Sequence, residues 1–256
     1  MPHTLPCVDL WDVMVNRMFY FCVVAATYAL LLLQPAVQAE DHSAAAQQSP
    51  VVVELFQSQG CSSCPPAEAN LNAIATAPGV LALSFGVTYW DQLGWKDTFA
   101  TDAYTQRQWD YAHHRRRNTV WTPQVYINGR TDLVGTDRSQ LLEAIGNAQR
   151  SGPAIDWSGQ SITIEASTKS SGAADVWLVR YDPRTLQVPI GGGENSGRTL
   201  AQRNVVRELI HLGTWNGDSV TFSLPASSSH ELKTAALVQE QEGGPILGAS
   251  VESTPY

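Results

Sequence analysis

The residues best placed to do chemistry are two cysteines, Cys61 and Cys64, in the stretch Gln59-Gly60-Cys61-Ser62-Ser63-Cys64-Pro65-Pro66. At this spacing two sulfurs can close a small disulfide or present thiolates. The stretch follows the apolar run Val51-Val52-Val53-Glu54-Leu55-Phe56 and leads into a helical pattern. Amides of a first helical turn lower the pKa of the leading thiol, which makes Cys61 the expected nucleophile and Cys64 its resolving partner. The same spacing supplies half of many zinc sites, so the surroundings have to decide between redox and ligand chemistry.

Upstream, residues 18–33 form a nearly unbroken apolar run, with Arg17 ahead of it and Gln34-Pro35-Ala36-Val37-Gln38-Ala39 behind. A positive flank, an apolar core and small residues at a cleavage point predict a signal peptide over 1–39 and a mature chain beginning near Glu40. The run is shorter than the roughly 20 residues of a spanning helix. Residues 40–50 are expected to form a flexible tether. Cys7 and Cys22 would leave with the signal, so only Cys61 and Cys64 would reach a periplasmic or secreted location. So small a disulfide loop adds little stability, and an oxidising compartment would keep an idle pair closed; exchange or ligation explains the pair better. A formal charge of -8 argues against a nucleic-acid binder. The basic cluster His113-His114-Arg115-Arg116-Arg117 reads as the solvated C-terminal end of a helix.

The elements that must position the cysteines begin with a strand at Val51. A helix follows, with Ala67, Leu71 and Ile74 on one face and Pro78-Gly79 closing it. Residues 80–87 read as a second, fully buried strand. The aromatic loop Tyr89-Trp90-Asp91-Gln92-Leu93-Gly94-Trp95-Lys96-Asp97 leads to a helix over 98–114. Asn128-Gly129 between two strand patterns predicts a hairpin. A helix over 137–149 is expected to bury Leu141, Leu142, Ile145 and Ala148, with Asp137 and Gln140 as a cap pair. Right-handed crossovers then place a mixed sheet between helical layers. From residue 151 onward the pattern is of strands, at 162–166, 175–181, 205–211, 219–224, 234–239 and 245–251, separated by Gly-, Ser- and Asn-rich turns. These predict an antiparallel sheet or sandwich, and Gly191-Gly192-Gly193 a long loop.

The order strand, helix, strand, helix, strand, strand, helix, with Cys-x-x-Cys after the first strand and Thr122-Pro123 opening the hairpin, resembles a thioredoxin fold. More closely, the string 58–67, Tyr89-Trp90-Asp91, Leu93-Gly94-Trp95-Lys96-Asp97, Thr122-Pro123-Gln124, Gly193-Glu194-Asn195-Ser196-Gly197-Arg198-Thr199, Asn204-Val205-Val206-Arg207 and Leu212-Gly213-Thr214-Trp215 resemble a secreted bacterial family, domain of unknown function 1223. The resemblance implies an α/β thioredoxin-like domain over 51–150, its mixed central sheet between helices, followed by a mainly antiparallel β-rich domain over 151–256. It implies that Pro123 is a cis-proline facing the cysteines. Glu54 resembles the buried carboxylate that takes a proton from the resolving cysteine; a solvent-facing edge-strand glutamate is the other reading. Gly86 and Thr88 stand where the family often has a histidine and an acidic residue, so no histidine chemistry is expected there.

The function these residues predict is thiol-disulfide exchange with protein thiols or disulfides, through Cys61 and Cys64, with no cofactor. Thr122 would offer backbone polar groups to an extended substrate strand. Trp90, Asp91 and Trp95 follow the second strand and should emerge at the same sheet edge as Cys61, as a lid or substrate groove, or as area buried between the two domains. Two alternatives stand beside exchange: copper or zinc carriage on the same two thiolates, and a redox-inert binding module.

Overall fold

The computed structural model describes residues 48–167 and 172–253; the expected signal peptide and most of the tether lie outside them. Along the chain the elements are β1 Val51–Gln57, α1 Cys64–Ile74, β2 Val80–Gly86, α2 Asp102–His114, β3 Gln124–Ile127, β4 Thr131–Leu133 and α3 Arg138–Gly146. Then come β5 Ile155–Ser158, β6 Ser161–Ile164, β7 Ala174–Asp182, β8 Leu186–Pro189, β9 Thr199–Gln202, β10 Val205–Trp215, β11 Val220–Ser223, β12 Lys233–Glu240 and β13 Ile246–Val251. Among these residues no helix is long and apolar enough to cross a membrane.

One mixed sheet of eight strands, ordered β13-β12-β7-β10-β2-β1-β3-β4, organises the molecule. Strand β1 pairs parallel with β2 and antiparallel with β3, which turns at Asn128-Gly129 into β4. Both turn residues have positive φ, as the tight hairpin requires. Both faces of β1 are covered, and that is why its sequence is apolar without alternation. Val51, Val53 and Leu55 pack under α1 and α3, through Ala67, Leu71, Ile74, Leu141 and Ile145. Val52 and Phe56 face the other way, toward Tyr104 and Tyr111 of α2.

Helix boundaries follow their caps. The second helix starts at Asp102 rather than near residue 98, because the Thr101 hydroxyl accepts from the Tyr104 amide at 3.3 Å. The third starts after Asp137, whose carboxylate accepts from the amides of Ser139 and Gln140. It ends at Gly146, short of residue 149, and Leu142 is exposed instead of buried: on so short a helix only Leu141 and Ile145 lie on the inward face.

Strands from beyond residue 151 enter the same sheet. Asn204 makes the joint: with φ at 51° its carbonyl accepts from the Ser84 amide and its side chain donates to the Ala82 carbonyl. Val205 then pairs parallel with Ser84, and β7, β12 and β13 add antiparallel. The short strands β11, β6 and β5 form a second sheet, whose Ile155, Ile162 and Ile164 pack on Val176, Trp215, Ala236 and Val238. Strands β8 and β9 form a separate hairpin, with Val188, Ile190 and Leu200 packed against Trp95 and Phe99. At the start, Ser49 of the expected tether accepts from the Ala249 amide and so is fastened to β13.

Candidate functional site

The two cysteines sit where β1 gives way to α1. Cys61 closes a turn by donating its amide to the Ser58 carbonyl, and the Cys64 amide donates to the Cys61 carbonyl. Pro65 and Pro66 follow Cys64 in the first helical turn, where a missing N–H is harmless. Both thiols are free and each is 1 % exposed. Ser63 Oγ lies 3.1 Å from Cys61 Sγ. The Thr122–Pro123 peptide is cis and faces the pair: the Thr122 carbonyl oxygen lies 3.7 Å from Cys61 Sγ, and Thr122 Oγ1 lies 3.2 Å from Cys64 Sγ.

This arrangement separates the two thiols electrostatically. A hydrogen bond from the Cys64 thiol, joined by Ser63 and nearby amides and opposed by burial, brings Cys61 down to about 6. Burial, together with the neighbouring Cys61, pushes Cys64 well above the ordinary thiol range. Near neutral pH, Cys61 is therefore a thiolate and Cys64 a thiol.

Glu54 is fully buried, which favours the first of its two readings, yet the structure does not bring it to Cys64. It lies on the face of β1 that α2 covers, paired with Arg107 Nε at 2.7 Å and accepting from the Tyr111 hydroxyl. Arg107 also donates to Gln239 of β12 at 3.0 Å and lies over the rings of Phe85, Tyr111 and Trp177. A carboxylate so held is a structural joint across the sheet.

The aromatic loop does meet the cysteine turn. A side chain at Gly60 would come within 3.2 Å of Trp90 and 3.6 Å of Trp95. The Trp95 indole donates to Gln59 Oε1 at 3.0 Å, and its ring packs on the β8–β9 hairpin, the joint between the two halves. Asp91 is occupied by the loop itself, accepting from the Asp97 amide at 3.0 Å.

Several residues at the site carried no individual signal in the sequence. Asn195, buried, donates to the carbonyls of Gln59 and Cys61 at 3.0 and 2.8 Å. Glu194 accepts from the amide and hydroxyl of Ser62, which lower its pKa. Residues 190–198, whose Gly191-Gly192-Gly193 was expected in a long loop, thus form a strap bound over the cysteine turn, because Gly192 and Gly193 let it lie against Gly94 and Gly60. The Gly-Glu-Asn-Ser-Gly-Arg string could have flagged it, but nothing local says what it touches. Asp97, held by the amides of Gln59 and Phe99, is raised to about 6 by burial. Glu68, one turn after Cys64, is raised to about 8 by burial.

Fold and site together define a mixed α/β protein with a paired-cysteine turn at a strand-to-helix junction and a β hairpin strapped across it. The chain belongs to the family described as Protein of unknown function (DUF1223), whose model matches residues 52–239. It is similar to a protein from Agrobacterium tumefaciens of known crystal structure, with 31% identity, a TM-score of 0.67, and 82% of this chain and 98% of that one covered. It also shares its fold with HBP35 of Porphyromonas gingivalis, at 12% identity and a TM-score of 0.51, over 80% of this chain and 75% of that one. No curated protein matches the chain significantly.

Proposed function

We propose that the protein performs thiol-disulfide exchange in an exported compartment, with a thioredoxin-like site built from Cys61, Cys64 and the Thr122–Pro123 backbone. The observation that carries this reading is geometric: two free thiols share the strand-to-helix turn, with Ser63 and the Thr122 carbonyl against Cys61 Sγ and Thr122 Oγ1 against Cys64 Sγ, a setting in which the first thiol is lowered and the second raised. That is the division of labour exchange needs. The Cys61 thiolate attacks one sulfur of a partner disulfide and the other sulfur leaves as a thiolate. Cys64, having lost its proton, then attacks Cys61 Sγ; the Cys61–Cys64 bond forms and the second partner sulfur leaves. Two electrons pass from the pair to the partner, and the reverse sequence oxidises a partner dithiol. The order of elements from β1 to α3, with Thr122 against both sulfurs, supports the thioredoxin-like reading. Since Cys61 is 1 % exposed, a partner reaches it only when the surrounding segments move.

The rival use of two thiolates is a metal. Among the described residues no group of three or more His, Cys, Asp or Glu side chains could hold an ion, which leaves zinc short of its usual ligands and copper(I) with two sulfurs. The test is to trap mixed disulfides from a periplasmic extract with Cys64→Ala and to equilibrate the wild-type pair against glutathione. Partners trapped through Cys61, absent in Cys61→Ser, are the expected result. No trapped partner, with stoichiometric copper(I) bound by both thiols, would replace exchange by metal carriage.

A further inference from the structure

A cavity of about 220 Å³ opens beside the resolving cysteine, lined by Cys64, Glu68 and Asn72 of α1 and by Arg198, Leu200 and Gln202 of the β8–β9 hairpin. Cys64 and Glu68 are four residues apart on one helix and so lie on the same face, a turn from each other. Among the described residues eight buried side-chain polar atoms have no protein partner, and three belong to residues lining this cavity: Glu68 Oε1, Asn72 Oδ1 and Gln202 Nε2. Buried polar atoms are nearly always satisfied, and three unpartnered ones on the wall of a space this size are the partners that water there would take. Glu68 itself is only 4 % exposed, and its other oxygen accepts from Ser84 Oγ at 3.2 Å.

Resting on the exchange reading, we propose that Glu68 is the proton carrier for Cys64, exchanging its proton with the thiol through water in this cavity. When a nucleophile opens the Cys61–Cys64 disulfide at Cys61, the bond to Cys64 breaks and Cys64 departs as a thiolate. The Glu68 carboxylic acid gives it a proton through water and becomes a carboxylate, later reprotonated from solvent through the cavity mouth. In the opposite direction only the ionised fraction of Glu68 can take the Cys64 proton as Cys64 attacks Cys61, so that direction gains as pH rises toward 8. The proton affinities fit this order: burial keeps Glu68 protonated up to about pH 8, and Cys64 is raised further still. Burial dominates the Glu68 titration; Ser84 of β2 and the nearby Arg203 backbone, the latter outside hydrogen-bond geometry, favour its charge, and buried Asp97 opposes it. Arg198 faces it across the cavity, and Cys64 shares its helix. Glu54 lies on the opposite sheet face, so the role falls to a helix residue.

The experiment follows opening of the oxidised pair by dithiothreitol in single turnover from pH 5 to 9, with rates divided by the dithiothreitol thiolate concentration. For the wild type this normalised rate should be level up to about pH 8 and fall above it. In Glu68→Gln it should drop roughly 100-fold at pH 7 and lose the inflection. An unchanged rate, or a lower rate with the inflection kept, overturns the assignment. Infrared difference spectra of the oxidised wild type, pH 7 minus pH 9, give a check that needs no variant: a protonated carboxyl band that titrates near 8 is expected, and its absence overturns the proposal. Either failure leaves exchange standing, provided that Cys64→Ala still traps partners.

Discussion

Glu68 carries a pH dependence of stability whose sign follows from the direction of its shift. Its carboxyl has the ordinary value of 4.5 when unfolded and about 8 when folded. Between those values the folded chain holds a proton that the unfolded chain does not, so the associated stability is full below 4.5 and is lost as pH rises through 8. From pH 6 to 8 the loss amounts to about 2 kcal/mol. Asp97 has the same sign, but its window, from 3.8 to about 6, closes where this interval opens. Urea midpoints of the oxidised protein at these two pH values should therefore differ in the wild type and coincide in Glu68→Gln. Equal wild-type midpoints would mean that the carboxyl is ionised in the fold. Glu54, paired with Arg107 at 2.7 Å, ties α2 to the sheet.

At the scale of elements, the strap of residues 190–198 lies over the backbone of the cysteine turn, and lifting it tests whether it governs access to Cys61. It is held by Asn195 on the Gln59 and Cys61 carbonyls and by Glu194 on Ser62, and it fits because Gly192 has no side chain. A Cβ at Gly192 would stand 2.3 Å from the Gly94 carbonyl oxygen, a backbone atom with little room to retreat. Gly192→Ala should lift the strap, cost about 1–3 kcal/mol in urea denaturation, and speed alkylation of Cys61 by iodoacetamide severalfold at pH 7. An unchanged alkylation rate in a destabilised variant would move the control of access to the Trp90 loop. The strap was illegible in advance because its glycines and polar residues are those of any exposed loop. Their partners lie some 130 residues away in the chain, as with Asn195 and Gln59 at a separation of 136.

For the whole molecule the decisive feature is that strands on both sides of residue 150 share one sheet. The face of β1 and β2 around Phe56 and Phe85 is closed by Val179, Tyr181, Val206, Leu237 and Ile246 from the second half. A fragment of residues 46–150 would expose those apolar side chains and leave β2 as an open edge. It should bind anilinonaphthalene sulfonate and lack a sharp urea transition, whereas the chain from residue 46 to its end should unfold cooperatively. A cooperative transition in the fragment would instead make its sheet self-sufficient.

What the sequence by itself determined were the local things: the paired cysteines after an apolar strand, the Asn128-Gly129 hairpin, the three helices and six of the later strands. Each is written in a short-range pattern, a period of two or of 3.6, a cap or a turn dipeptide. Buried Glu54 was legible as a choice between two readings, because an apolar run covered on both faces has no alternation to say which way a residue points. Only the tertiary structure decided that choice, and with it the entry of β10 beside β2, the strap over Ser62, and the cavity that sets Glu68 next to Cys64. Those depend on which surfaces meet across long stretches of chain, through contacts such as Asn204 on Ala82 and Asn72 on the Ala201 carbonyl. No local propensity encodes such contacts, because side chains that pack or hydrogen-bond across a fold have the same local preferences as those that face water.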